Sequence, residues 1–103
     1  MDKAFIKSIS KAVKVAMIPC ISSNIQAFGY DMEKRLLYVV FNNRALYAYQ
    51  KVKYEQFLDL LEAQSKGKWV NTNLVKAEVP VTKYTINLSC WLRLQASKNL
   101  SLN

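Results

Sequence analysis

One short polar segment of the chain carries residue types that bind anions. It runs Ser65-Lys66-Gly67-Lys68-Trp69-Val70-Asn71. If Asn71 is the N-cap of a helix, free backbone amides and two lysines converge near one helix N-terminus, where a phosphate group would be favoured. An ordinary capped turn between two helices is the alternative. The pattern leaves both interpretations open.

Aromatic residues on neighbouring predicted strands form a second candidate site. Tyr47 and Tyr49 share one face of a strand, while Tyr38, Phe28 and Tyr30 lie on adjacent strands. Exposed rings on a sheet stack on bases of single-stranded nucleic acid, each contributing about 1–3 kcal/mol. Alternating aromatic residues are also common as core beneath a helix. The pattern therefore predicts either a stacking surface or a packed core.

The charge of the chain favours an anionic partner. Fifteen Lys+Arg against seven Asp+Glu give the 103 residues a formal net charge of +8. A basic surface that only aids solubility is the simpler explanation. Our hypothesis is that basic residues contact phosphates while Tyr47 or Tyr49 stacks on a base. The candidate ligand-binding residues are Arg44, Tyr47, Tyr49, Lys51, Ser65, Lys66, Lys68 and Asn71.

The usual catalytic groups are missing. The chain contains no histidine, and its seven carboxylates form no predicted close pair, which leaves Lys, Tyr and Cys as the remaining groups for catalysis. Its two glycines make no Gly-rich phosphate loop. Cys20 and Cys90 match no metal or redox spacing and are predicted to be free, buried thiols. We expect a non-enzymatic protein with no metal and no cofactor.

Residues 1–18 predict a basic amphipathic helix. Apolar residues recur at helical spacing from Phe5 to Met17, and Pro19 ends the pattern. Four lysines lie opposite the apolar face: Lys3, Lys7, Lys11 and Lys14. The helix could dock on the domain or on a second copy with these lysines in water. Phosphate contact, attachment to a membrane surface or a protein partner is the alternative.

The rest of the chain predicts one α+β domain. Residues 22–30, 36–41 and 45–50 predict three strands of an antiparallel meander, with a hairpin of positive φ at Asn42-Asn43. Two short helices follow: the first starts near Tyr54 and terminates with a left-handed Gly67, and the second starts at Asn71. Strict alternation over 85–96 predicts a C-terminal strand, and 97–103 a polar tail.

Several spaced segments together form a more specific pattern. They are Ser22-Ser23-Asn24-Ile25, Gly29-Tyr30-Asp31, Tyr47-Ala48-Tyr49, Ala63-Gln64-Ser65-Lys66-Gly67 and Asn71. In order and spacing they resemble the KTSC domain, a short module found at the C-terminus of some lysyl-tRNA synthetases and in small bacterial and phage proteins. The resemblance covers a module at 22–84, and Lys53, Trp69-Val70 and Glu78 depart from the family's usual residues.

The resemblance implies a small sheet-and-helix module, with RNA binding suggested by its place in a synthetase. We expect a cytoplasmic binding module for RNA or other single-stranded nucleic acid, with no membrane span and with a homodimer as a further expectation. Two alternatives stay open: a phage or mobile-element product that inhibits a host nucleic-acid or defence enzyme by binding it, and a binder of a nucleotide signal. The helix 1–18 and the strand 85–96 lie outside the resemblance.

Overall fold

The protein folds as an antiparallel sheet with helices on both faces, which confirms the predicted α+β meander. The computed structural model describes residues 3–85. Strands adjacent in sequence are adjacent in the sheet. The strands are β1 Ile18–Pro19, β2 Ile25–Asp31, β3 Leu36–Phe41, β4 Ala45–Tyr49 and β5 Val81–Thr85. The helices are α1 Lys3–Val13, α2 Tyr54–Glu62 and α3 Lys66–Val70, and α3 runs directly into a π-helical turn, the π segment Asn71–Val75.

α1 covers one face of the sheet. Phe5 and Ile9 of α1 are fully buried and belong to one core with Tyr38 of β3 and Leu46 of β4. The strand residues reach this core because alternate side chains of a strand point to the same face. The lysines of the opposite helix face are exposed: Lys3, Lys7 and Lys11. Of the alternatives for the amphipathic helix, docking on its own domain is therefore the one the structure shows.

α1 ends at Val13, five residues before the predicted end. Lys14 has a left-handed φ of 59°, which takes the backbone out of the helix. Residues Ile18 and Pro19 then form the edge strand β1, which pairs with β2 and which the sequence pattern did not predict. A proline is tolerated at a sheet edge because no partner strand needs its missing N–H. Met17 is buried although it lies outside any helix, so its helical spacing misled the prediction.

The second face of the sheet is covered by α2, α3 and the π segment. Leu60, Val70 and Leu74, one from each of these elements, are buried against Phe28 and Val39 of the sheet. Burying a large apolar side chain stabilises a fold by about 1.5–3 kcal/mol. The two cores together therefore hold the sheet between two helical layers. No helix within residues 3–85 is long and apolar enough to cross a membrane.

The run from α2 to the π segment corrects two predictions. Gly67 does not terminate a helix, because it lies inside α3 and has no positive φ. Ser65, and not Asn71, is the N-cap: its hydroxyl accepts a hydrogen bond from the Lys68 amide at 3.2 Å. Asn71 instead lies where α3 continues into the π segment. Serine caps helices as well as asparagine does, so the earlier of two suitable residues became the cap.

The hairpin between β3 and β4 lies where it was predicted, with a different conformation. Positive φ falls on Arg44, at 67°, and on neither Asn42 nor Asn43. The Arg44 amide donates to the Phe41 carbonyl at 2.9 Å, and Arg44 follows this turn as its left-handed residue. Asn43 stabilises the loop by accepting from the Ala45 amide at 3.0 Å.

The last described strand begins earlier than predicted. β5 starts at Val81, four residues before the predicted strand, and pairs with β4 so that Lys83 lies opposite Tyr47. The remainder of the predicted strand 85–96, the tail 97–103 and Cys90 lie outside the described residues.

If α1 is part of the folded domain, truncating its buried face should destabilise the whole protein. We expect Phe5→Ala to lower the free energy of unfolding by about 3–5 kcal/mol and the milder Ile9→Val by about 0.5–1.5 kcal/mol. Lys7→Ala, on the exposed face, should change it by less than about 0.5 kcal/mol. Urea unfolding followed by Trp fluorescence measures all three, and equal effects of Phe5→Ala and Lys7→Ala would contradict the docking.

Candidate ligand-binding groove

An open groove lies between β4 and the chain that leads from the π segment into β5. Its volume is about 810 Å³. Apolar and aromatic side chains form most of its wall: Phe41, Tyr47, Tyr49, Leu74, Val75, Val79, Pro80 and Val81. Polar side chains complete its lining: Ser23, Asn24, Asn42, Asn43 and Glu78. A mostly apolar concave surface with a few polar groups is typical of sites for small molecules and for flat ring systems.

Three aromatic rings form one wall of the groove. The rings of Tyr47 and Tyr49 are stacked, with centroids 6.1 Å apart and planes 18° apart. Phe41 meets Tyr47 edge-on at 5.0 Å. The Lys83 Nζ lies 5.6 Å from the centroid of the Tyr47 ring, in a cation–π position. Tyr47 is partly exposed, so it is the tyrosine of this pair with surface left for a ligand.

Tyr49 belongs to the core more than to the surface. Its side chain is 3% exposed, and burial, followed by the neighbouring Tyr47, raises its pKa above the ordinary value. Phe28 and Tyr38 are also buried, and burial is the main cause that raises the pKa of Tyr38. Of the two interpretations of the strand aromatic residues, a packed core is therefore the one that applies to Tyr49, Phe28 and Tyr38.

Tyr30 is also used within the fold. It is partly buried, stacks on Phe57 with ring centroids 5.1 Å apart and donates its hydroxyl to the Val52 carbonyl.

Asparagine side chains form a polar rim from two loops that are tied together. The backbone N–H of Asn42 donates to the backbone carbonyl of Asn24 at 2.8 Å. The side-chain Nδ2 of Asn42 donates to the backbone carbonyl of Ser22 at 3.3 Å. The Ser22 hydroxyl in turn donates to Asn24 Oδ1 at 3.0 Å. Each asparagine amide carries both donor and acceptor groups, so the fixed rim offers polar groups to a ligand.

α3 packs unusually close to this rim. A Cβ built on Gly67 would lie 1.8 Å from Asn24 Oδ1 and 2.8 Å from Ser22 Oγ. Only a residue without a side chain allows that approach. The Ser22-Ser23-Asn24 and Ser65-Lys66-Gly67 segments, far apart in sequence, therefore meet at one contact beside the groove.

The lysine-containing segment does not form the predicted anion site. Lys66 Nζ donates to the carbonyls of Leu61 and Ala63, so this side chain caps the C-terminal end of α2. Lys68 is exposed on α3, and Asn71 is exposed in the middle of the helical run. Without a helix N-terminus at Asn71, the convergence of free amides expected there is absent.

The two remaining predicted cations lie apart from the groove. Arg44 points to the α1 face of the sheet, where its guanidinium lies 5.1 Å from the centroid of the Phe5 ring. Lys51 is exposed just after β4 and does not line the groove. Of the eight predicted ligand-binding residues, only Tyr47 and Tyr49 are brought together in it.

Several groove residues were missed by the sequence argument. Asn42 and Asn43 were assigned only to a turn, and Phe41 only to a strand. Lys83 does not line the groove but lies over the Tyr47 ring. A correct start for β5 would have predicted this position, because Lys83 pairs with Tyr47.

Metal chemistry gains no support from the described residues. Among residues 3–85 there is no group of three or more His, Cys, Asp or Glu side chains that could hold an ion. Cys20 is a free thiol and partly buried. Burial raises its pKa, an effect that the charge of Lys66 opposes in part, so the less reactive protonated form is favoured.

Comparison with known proteins shows what class of module this is. A family profile described as the KTSC domain matches residues 21–76, just over half of the chain. A crystal structure of a KTSC domain protein from Yersinia pestis superimposes with a TM-score of 0.61 at 28% identity, covering 67% of this chain and 96% of that one. The chain therefore belongs to the KTSC domain family.

Two further relatives cover the same module. A protein from Tsukamurella paurometabola is 46% identical over 55 residues, which are 53% of this chain and 82% of the relative. An uncharacterized protein from Stutzerimonas stutzeri is 44% identical over 50 residues, 48% of this chain and 70% of the relative. Their descriptions name no activity, so a function for this chain is inferred from its groove.

The contact at Gly67 can be tested by adding one methyl group. Gly67→Ala should lower the free energy of unfolding by about 1–3 kcal/mol, because the new Cβ overlaps the Asn24 side chain. Asn24→Ala removes the overlapping atoms, so the double variant should lose less than the sum of the two single losses by at least about 0.5 kcal/mol. Strict additivity in urea unfolding would show that the contact is not tight.

The buried side chain of Tyr49 predicts a loss of stability in alkaline solution. Because its folded pKa is raised, the stability gained by keeping the ring neutral is complete below the unfolded pKa of about 10 and is lost as pH rises through the folded pKa. Tyr49→Phe should reduce this loss more than Tyr54→Phe does, because the Tyr54 ring is exposed. Urea unfolding from about pH 8 to about pH 11 checks it, and identical curves for both variants would refute it.

Proposed function

We propose that this protein is a non-enzymatic binding module for single-stranded nucleic acid, RNA in the first place, and that one base of the strand enters the groove. The observation that carries the proposal is the partly exposed Tyr47 ring, held between Tyr49 and Phe41 at the wall of an 810 Å³ groove. Stacking suits such a ring because every base has a flat π face.

The polar lining supports a base more than a purely apolar ligand. Asn24, Asn42 and Asn43 present amide groups, and Glu78 presents a carboxylate acceptor. Asparagine and acidic side chains are the types that pair with the donor and acceptor edges of unpaired bases. An apolar guest would bury the amide atoms that have no partner within the rim, and the Glu78 carboxylate, without hydrogen bonds, at a cost of about 1–3 kcal/mol for each buried group.

Charge supports a phosphate-bearing ligand in the same place. Lys83 lies over the Tyr47 ring, so a base that stacks on this face would displace the Lys83 ammonium group, which would then contact the adjoining phosphate. The formal net charge of +8 also favours the encounter with a polyanion.

Tyr47→Ala should weaken binding of a short, fluorescently labelled single-stranded RNA by about 5- to 150-fold, the equivalent of about 1–3 kcal/mol of stacking. Tyr47→Phe, which keeps the ring, should bind nearly as well as the wild type. Tyr84→Ala is the matched control, because Tyr84 is an exposed tyrosine that pairs with Leu46 and so lies on the opposite face of the sheet. Fluorescence anisotropy at low salt measures all four proteins.

The same assay separates the alternatives. Absence of RNA binding at low ionic strength, or equal losses in Tyr47→Ala and Tyr84→Ala, would refute the proposal. A panel of free nucleotides in a thermal-shift assay adds a second arm, since a ligand bound only by the native state raises the midpoint. If a free nucleotide saturates the groove and blocks RNA, the protein is a nucleotide binder instead.

A further inference from the structure

A second concave surface lies where β4 leaves the sheet. It is a cleft of about 450 Å³, here called the basic cleft. Four of the six residues that line it are cationic: Lys34, Arg35, Lys51 and Lys53. Leu36 and Gln50 complete its lining. The cations come from two loops, the β2–β3 turn and the connection between β4 and α2, so only the tertiary fold brings them together.

The backbone under these cations is fixed. Val52, between Lys51 and Lys53, is fully buried, and its amide donates to the Arg35 carbonyl at 3.0 Å. The Val52 carbonyl accepts from the Tyr30 hydroxyl. Both loops are therefore joined through one anchored residue, and the charges do not depend on mobile loops for their proximity.

The side chains of these four cations are exposed, and two carboxylates lie near them in sequence: Glu33, and Asp31, whose Oδ1 accepts from the Lys34 backbone amide at 3.0 Å. In the part of the chain that the structure describes, none of the four side chains forms an ion pair with a carboxylate. Glu55 shares a neighbouring depression with Arg35 and Lys53 but does not line the basic cleft. Like charges that converge in this way repel one another, and a bound anion removes that cost.

Two of the cations also occupy unfavourable backbone positions. Arg35 has a φ of 55° and Lys51 a φ of 56°. Glycine or asparagine adopts this left-handed conformation more easily than a long side chain does. The same conformation occurs at Lys14, Arg44 and Glu78, so it marks turns of the chain and guides the choice of replacement residues.

The basic cleft adjoins the groove along the chain but opens towards the α1 face of the sheet. Leu36 packs against the α1 core, and Gln50 Nε2 donates to Thr82 Oγ1, which lies opposite Ala48 of that core. Tyr49 lines the groove, and the next two residues, Gln50 and Lys51, line the cleft, which places the two surfaces within about 7 Å along the chain. The Gln50 amide donates to the carbonyl of Pro80, another groove residue, at 2.8 Å. A nucleic-acid strand with a base in the groove would therefore reach the cleft by passing around the end of β4.

We infer that the basic cleft binds the phosphate groups of the nucleic-acid strand whose base occupies the groove. The inference rests on the proposed function and assigns phosphate contact to Lys34, Arg35, Lys51 and Lys53, in place of Lys66 and Lys68.

Two triple variants with the same change in charge test it. The cleft variant carries Lys34→Gln, Lys51→Asn and Lys53→Gln, with asparagine chosen because it tolerates the left-handed backbone at residue 51. The control carries Lys3→Gln, Lys7→Gln and Lys11→Gln on the exposed face of α1. RNA affinity is measured by anisotropy between about 50 and 200 mM salt.

Loss of three phosphate contacts should flatten the slope of log K against log salt by about 2 and weaken binding at low salt by about tenfold or more. The control variant should keep the wild-type slope and an affinity within about twofold. Equal effects of the two variants, or an unchanged slope in the cleft variant, overturn the inference while the proposed function stands.

Inorganic tripolyphosphate, which has no base, separates failure of the cleft from failure of the groove. If the wild type binds tripolyphosphate but not RNA, and the cleft variant loses that binding, the proposed function fails and the cleft remains a phosphate site. If neither RNA nor tripolyphosphate binds to the wild type, both fail.

Lys51→Gly distinguishes a loss of RNA binding from a loss of folding. Glycine fits the backbone at this position better than lysine, so the thermal midpoint should not fall, while RNA affinity should. A lower midpoint with unchanged affinity would show that Lys51 is structural and would overturn its assigned role.

Discussion

The close approach of α3 to the loop at Ser22–Asn24 governs the shape of the candidate site. Gly67 leaves no room for even a methyl group against Asn24, so helix and loop are in direct contact. From that contact the helical run continues into the π segment, whose Leu74 lines the groove. The loop is hydrogen-bonded to the β3–β4 hairpin. A single missing side chain thus sets the distance between the two walls of the groove.

The two-sided sheet explains why most of the aromatic residues are structural. Helices cover both faces, so the side chains of β2, β3 and β4 are buried or half-buried whichever way they point. Tyr38 and Tyr49 belong to opposite cores for this reason, and neither presents a free ring. Tyr47 stays partly exposed because it lies beside the groove, where the helical layer ends. The proposed stacking therefore falls on one ring and not on a row of rings.

The cations divide into three groups according to their surroundings. Lys66 is used inside the fold, where it caps carbonyls of α2, and the lysines of α1 are dispersed on a solvent-exposed helix face. Within residues 3–85, four cations line the basic cleft on backbone that the Val52 hydrogen bonds fix. The net charge of the chain does not distinguish these surroundings.

What the sequence by itself determined was the local pattern: the α+β class, the meander of β2 to β4, the amphipathic α1 and the family, because period-two and helical spacing and short motifs are local properties. The sequence-based prediction was wrong where two nearby residues were both suitable for one role. Ser65, and not Asn71, is the helix N-cap, and Arg44, and not Asn42, has the positive φ. The groove and the basic cleft were decided only by the tertiary structure. Each joins side chains from separate loops, and no spacing along a chain encodes the distance between segments that meet only when the sheet and helices pack.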